Sequence, residues 1–120
     1  MLHVVWEFHV KPERQKDFET HYGAHGHWAM LFRKSPFYDR TVLARDPKVP
    51  TRYLLTDIWA DLASIETFKR DFRAEYDALD KHCEKFTTKE QLIGYFEQLE
   101  DKRPPLFAAG EKDSEATRNR

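Results

Sequence analysis

The chain has 120 residues, enough for one domain with a two-layer core and too few for a second independent one. Its 20 lysines and arginines stand against 21 aspartates and glutamates, a formal charge of -1, so no basic field is available to hold a phosphate backbone and nucleic acid is excluded as an expected partner. The longest apolar runs are short and the first residues go straight into strand-like sequence, which excludes a membrane span and a secretory signal and implies a soluble cytoplasmic protein.

Leu2 to Val10 alternates, with Leu2, Val4, Trp6, Phe8 and Val10 on one face and His3, Val5, Glu7 and His9 on the other, the signature of a strand with two different surfaces. Pro12 and Glu13 suit the first turn of a helix. Phe18 and Tyr22 fall on its apolar face, and Gly23 and Gly26 interrupt it. Trp28, Leu31 and Phe32 resume a helical pattern that Pro36 ends. Phe37 to Arg45 reads as a second strand, closed by Asp46-Pro47. Arg52 to Ala60, with Tyr53, Leu54, Leu55, Ile58 and Trp59, suits a central strand buried largely on both faces. Asp61 is the natural N-cap of the next helix. From Leu62 the apolar positions Ile65, Phe68, Phe72, Tyr76, Leu79, Cys83 and Phe86 predict one long amphipathic helix, with Glu66, Lys69, Arg70, Arg73, Glu75, Asp77, Asp80 and Lys81 on its solvated side. The lone Cys83 reads as a small buried hydrophobe. Gln91 to Leu99 is a fourth strand, with Gly94 where a bulge is expected.

The order β, α, β, β, α, β is that of an α+β, ferredoxin-like βαββαβ domain: a four-stranded antiparallel sheet with its helices on one face. The domain occupies residues 1–99, and 100–120 is a polar, flexible C-terminal tail in which only Leu106 and Phe107 could dock on the body or on a second subunit. A sheet covered on one side leaves bulky residues on the other, so a second copy is the expected cover, giving a two-fold homodimer.

Two groups of residues are candidates for chemistry. His21 and His25 are four apart, a spacing that can place two imidazoles on one helical face, but Gly23 and Gly26 unwind that helix and no carboxylate at a fixed offset completes a ligand set; no metal site is expected. His25 or His27 could instead serve as a general base at a pocket mouth. Trp28, Phe32, Trp59, Phe68, Phe72 and Tyr95 are numerous enough for some to line an apolar pocket for a flat aromatic ligand while the others form plain core.

Several stretches resemble the antibiotic biosynthesis monooxygenase domain of the dimeric α/β-barrel superfamily. They are the first strand running into Pro12-Glu13-Arg14, the segment Gly26-His27-Trp28-Ala29-Met30-Leu31-Phe32, the second strand opening at Phe37-Tyr38, and Asp57-Ile58-Trp59 ahead of Asp61 and Phe68. The resemblance covers about Met1 to Leu99. It implies a pocket between sheet and helices in each subunit of a dimer. Some members oxidise polycyclic phenols or quinols with oxygen and no cofactor, and others bind and degrade haem. The strand-end tryptophan carries over as Trp59. The asparagine that the quinol oxidisers place shortly before it has no counterpart in Leu54-Leu55-Thr56-Asp57, and the haem-degrading set is missing its first-strand asparagine and its histidine, since Ser64 to Lys81 contains none. The expectation is a homodimeric, cofactor-free monooxygenase-like protein taking a small hydrophobic aromatic or quinone-like ligand, with Trp59, His25 and His27 as catalytic candidates. The alternative is a non-catalytic dimer, a ligand carrier or a structural protein, whose pocket is filled by its own side chains.

Overall fold

The computed structural model describes residues 1–100; the expectations for the tail, Leu106 and Phe107 among them, lie outside the described residues. Apolar alternation makes β1 (Leu2–Val10), which buries Val4, Phe8 and Val10 on one side. A turn at Pro12–Arg14 leads to α1 (Gln15–Tyr22), which buries Phe18 and Tyr22. The chain then breaks at the two glycines, as expected, and Gly26 becomes the N-cap of α2 (His27–Phe32). A Cβ on Gly26 would lie 2.5 Å from the Thr20 carbonyl oxygen, so only glycine lets α1 and α2 meet this closely. β2 (Tyr38–Arg45) and β3 (Arg52–Trp59) follow. Asp61 caps the next helix by accepting the Ser64 N–H at 2.8 Å. The last elements are α3 (Leu62–Asp71), α4 (Arg73–Cys83) and β4 (Thr87–Glu97).

All strand pairs are antiparallel, in the order β2-β3-β1-β4. The helices lie over one face, where Phe18, Trp28, Phe32, Ile65 and Phe68 join Phe8, Tyr53, Leu55 and Trp59 in a single apolar cluster. This is the ferredoxin-like α+β architecture read from the order of elements. The opposite face carries Val42, Leu54 and Phe96, which are 44%, 45% and 50% exposed.

Three local expectations are corrected. The helix expected from Leu62 to Phe86 bends at Phe72 (φ -116, ψ 34) into α3 and α4, although Phe72 N–H still bonds Phe68 and Tyr76 N–H still bonds Phe72. No proline or glycine marks the bend; the Phe68 and Phe72 rings stack across it at 4.9 Å. β4 starts at Thr87 rather than Gln91, because Lys89 and Glu90 pair with His9 and Phe8 along the edge of the sheet, where polar residues stay solvated. β3 is buried along its helix-covered face and only partly on the other, where Ile58 is 3% exposed, Thr56 half-buried and Leu54 exposed. The bulge expected near Gly94 is present: the register steps from Val5–Gly94 to Trp6–Leu92 and leaves Ile93 unpaired. Among the described residues no helix is long and apolar enough to cross a membrane.

Candidate functional site

Two adjoining cavities open between the sheet and the helices. The outer one, about 70 Å³, is walled by Trp6 and Phe8 of β1, Leu55 and Asp57 of β3, Tyr22 of α1, Trp28 and Phe32 of α2, Tyr76 and Asp80 of α4, and Glu90 of β4. The inner one, about 40 Å³, reaches Val4, Trp59, Ile65, Phe68, Lys69 and Tyr95. Trp6, Phe32, Asp57 and Tyr76 belong to both walls, so these four side chains form the partition.

Asp57 is the chemically distinctive member. It has the same strand parity as Leu55 and Trp59, so it turns inward with them, and it is 8% exposed. The β2–β3 register sets Thr41 directly opposite, and the Thr41 hydroxyl donates to Asp57 Oδ1 at 2.6 Å. With that proton committed, the Tyr38 hydroxyl, 2.6 Å from Thr41 Oγ1, donates in turn. The second carboxyl oxygen of Asp57 takes no hydrogen bond from the described residues. Burial disfavours the carboxylate and pushes Asp57 up to about 6, against the pull of the Thr41 hydrogen bond and the Lys69 charge. Burial likewise raises Tyr38 and pushes Tyr76 up to about 12, so both phenols remain protonated donors near neutral pH. A carboxyl group poised near neutrality beside an aromatic-walled cavity can exchange a proton with a bound molecule. The Trp28 Nε1–H is buried and makes no hydrogen bond of good geometry among the described residues, although it acts on the nearby Tyr22 hydroxyl and Cys83 thiol.

The structure distributes the expected site residues unevenly. Trp28 and Phe32 stand in the outer wall, and Phe68, Tyr95 and Trp59 in the inner one. Trp59 is 2% exposed and packs its ring against Phe32, Tyr38 and Phe68 at 5.3–5.4 Å. Phe72 lines neither cavity; it borders an open surface groove with Lys34 and Phe37. His25 and His27 are not brought to Trp59. His25 sits in the exposed loop before α2, accepting from the Arg33 guanidinium at 3.1 Å. His27 begins α2 one residue before Trp28, and because that helix buries Trp28, Ala29, Leu31 and Phe32, His27 is turned outward. Its ring lies 4.3 Å from that of His21, which lies 5.1 Å from His82. Among the described residues no group of three histidine, cysteine or acidic side chains is placed to hold a metal. Cys83 is buried and free, and burial raises its thiol.

Asp57, Thr41, Tyr38, Trp6, Asp80, Glu90 and the inward role of Lys69 were not expected from the sequence. Asp57 carried a signal, because a carboxylate at an inward position between Leu55 and Trp59 is costly to bury without a use. The others depend on strand register and on the bend at Phe72, which no local pattern announces.

The family profile described as antibiotic biosynthesis monooxygenase matches residues 1–71. Among curated proteins none matches the chain. Solved structures similar to it include a protein of Bordetella bronchiseptica assigned to antibiotic biosynthesis monooxygenase, 19% identical, covering 82% of this chain and 97% of that one with a TM-score of 0.67. A Deinococcus radiodurans protein of the same assignment is 19% identical, with 87% and 98% covered and a TM-score of 0.62. A mutant of SnoaB, a cofactor-independent oxygenase from Streptomyces nogalater, is 19% identical, with 83% and 94% covered and a TM-score of 0.61. At these identities the likeness establishes the fold.

Proposed function

The chain belongs to the antibiotic biosynthesis monooxygenase family, and from that premise we propose that it binds a small, electron-rich aromatic molecule of the phenol or quinol class between sheet and helices and oxygenates it without a cofactor. The observation that carries this reading is the buried Asp57, hydrogen-bonded through one oxygen only, in the partition between two aromatic-walled cavities. The base role passes to Asp57 from His25 and His27, which lie outside both walls. Trp59 is a positioning residue, holding Tyr38 and Phe32 against the partition.

The Asp57 carboxylate takes a proton from the phenol, or from a ring carbon bearing two hydrogens in its keto tautomer, and leaves the electron pair on the substrate. The resulting carbanion reduces dioxygen and forms one carbon–oxygen bond, giving a hydroperoxide. Loss of water then leaves a carbonyl at that carbon, so one oxygen atom enters the substrate and the other leaves as water with the two hydrogens. The Tyr38–Thr41 chain steadies the charge on Asp57 between these steps. The test is oxygen consumption with a panel of quinols and single-ring phenols. Asp57→Asn is expected to lower kcat by about 10²- to 10⁴-fold, the usual contribution of a positioned base. Unchanged turnover in that variant refutes the assignment.

The small volume of the cavities favours a second reading, a non-catalytic dimer with a filled aromatic interior, because drug-sized ligands need several times more space. No oxygen uptake with any of the panel would support it.

The working form under either reading is a cytoplasmic homodimer closed over the uncovered sheet face. Val42, Leu54 and Phe96 supply its apolar contact, and a charge there faces the high cost of burial without a partner. Leu54→Arg is expected to convert a dimer into a monomer in light-scattering measurements. A variant that stays dimeric, or a parent chain that is monomeric, overturns this assembly.

A further inference from the structure

Every charged side chain in the outer cavity wall is acidic: Asp57 at its floor, with Asp80 from α4 and Glu90 from β4. Neither the Asp80 nor the Glu90 side chain, both exposed, takes part in an ion pair or hydrogen bond among the described residues. Their closest electrostatic company is also acidic. Burial and the neighbouring Glu84 and Asp77 raise Asp80, while burial, Asp80 and Glu84 raise Glu90. The single cation lining the cavities, Lys69, belongs to the inner wall, where its Nζ lies 5.2 Å from the centre of the Tyr76 ring, and its charge partly offsets those of Asp57 and Asp80. The same wall holds the rings of Trp6, Trp28 and Tyr76, the last two packed edge-on at 5.0 Å. Aromatic faces combined with carboxylates in excess over cations attract organic cations and repel anions. The same wall presents a carboxyl oxygen of Asp57 that no side chain of the described residues engages, and the buried Trp28 Nε1–H, which makes no hydrogen bond of good geometry among them.

We infer that the ligand of this site is an arylalkylamine, a single phenolic ring that enters toward Asp57 while its protonated amine is held between Asp80 and Glu90 against the aromatic wall. The inference rests on the reading of Asp57 as the base for a phenol and adds the charge of the substrate to it. A cavity of about 70 Å³ suits part of one ring better than a polycycle, and an amine on a short alkyl arm reaches back to the acidic mouth. The site then disfavours phenols carrying a carboxylate, because a third negative charge would meet Asp80 and Glu90 with Lys69 as the one cation lining the cavities to offset it.

Three probes with the same ring separate the possibilities by calorimetry on the full chain: tyramine, para-ethylphenol and para-hydroxyphenylpropanoate. Tyramine is expected to bind about tenfold or more tighter than para-ethylphenol at low salt, with the propanoate weakest. High salt should shrink the tyramine advantage. In the double variant Asp80→Asn, Glu90→Gln the two affinities should become about equal. Equal binding of tyramine and para-ethylphenol to the parent chain, or tightest binding of the propanoate, overturns the amine inference and leaves the phenol site standing. Tight tyramine binding with no oxygen uptake upholds the inference and removes the oxygenase reading. Failure of all three probes to bind refutes both.

Discussion

Trp59→Ala is expected to cost about 3–5 kcal/mol of folding stability, the usual range for removing a large buried aromatic side chain. Trp59 is almost fully buried and meets Phe32, Tyr38 and Phe68 at edge-to-face or tilted angles, so its removal leaves three rings without their common support. Urea denaturation measures the effect. Loss of about 1 kcal/mol or less would mean that neighbouring rings collapse into the space and that Trp59 is not the anchor. Because such a loss can unfold a small domain outright, Trp59→Phe is the variant for turnover. It keeps a ring in place, and it should retain activity if Trp59 acts through Tyr38 and Phe32 rather than by touching substrate.

Asp57→Asn is expected to make the protein more stable at neutral pH while it removes activity. Asp57 titrates near 6 in the fold and near 3.8 in an unfolded chain. Between those values the native state holds the extra proton, so stability falls as pH rises through that window and is flat above it. The difference is on the order of 2–3 kcal/mol for a fully buried group with such a shift. Asparagine keeps an oxygen to accept from Thr41 and carries no charge, so the variant should exceed the parent most clearly above about pH 6 and converge on it below about pH 4. The surface carboxylates Glu7, Asp46 and Asp61 are shifted in the opposite sense by Arg52, by Lys48 N–H and by Ser64. For that reason the comparison is between variant and parent at each pH, by thermal or chemical melting. A gap that does not change with pH would contradict the buried, raised carboxyl.

Local signals in the sequence revealed most of the fold. Alternation located β1, a dense apolar run located β3, Asp61 marked a helix start, Gly23 and Gly26 marked a break, and Gly94 marked a bulge, because each of these is a property of a few adjacent residues. The bend at Phe72 escaped because an unbroken apolar period runs through it. The polar first half of β4 escaped because an edge strand need not alternate. The site was less legible. Trp28, Phe32, Phe68 and Tyr95 reach the cavity walls as the density of rings implied. The histidines attracted attention through their chemistry, yet one stands in an exposed loop and the other on the outer side of α2, a placement fixed by which helical face packs on the sheet. Asp57 entered only through the stretch Asp57-Ile58-Trp59 and not as a chemical group, although its parity with Leu55 and Trp59 is written in the chain. Its meaning appears only when the β2–β3 register supplies Thr41 and, behind it, Tyr38.

Whether Asp57 is the base of an oxygenating site is tested most directly by the pH dependence of oxygen consumption with a phenol or quinol that the chain turns over. The expected kcat/KM rises through an apparent pKa near 6 to a plateau, with the rise and most of the rate absent in Asp57→Asn. A profile of unchanged shape and height in that variant would contradict the assignment.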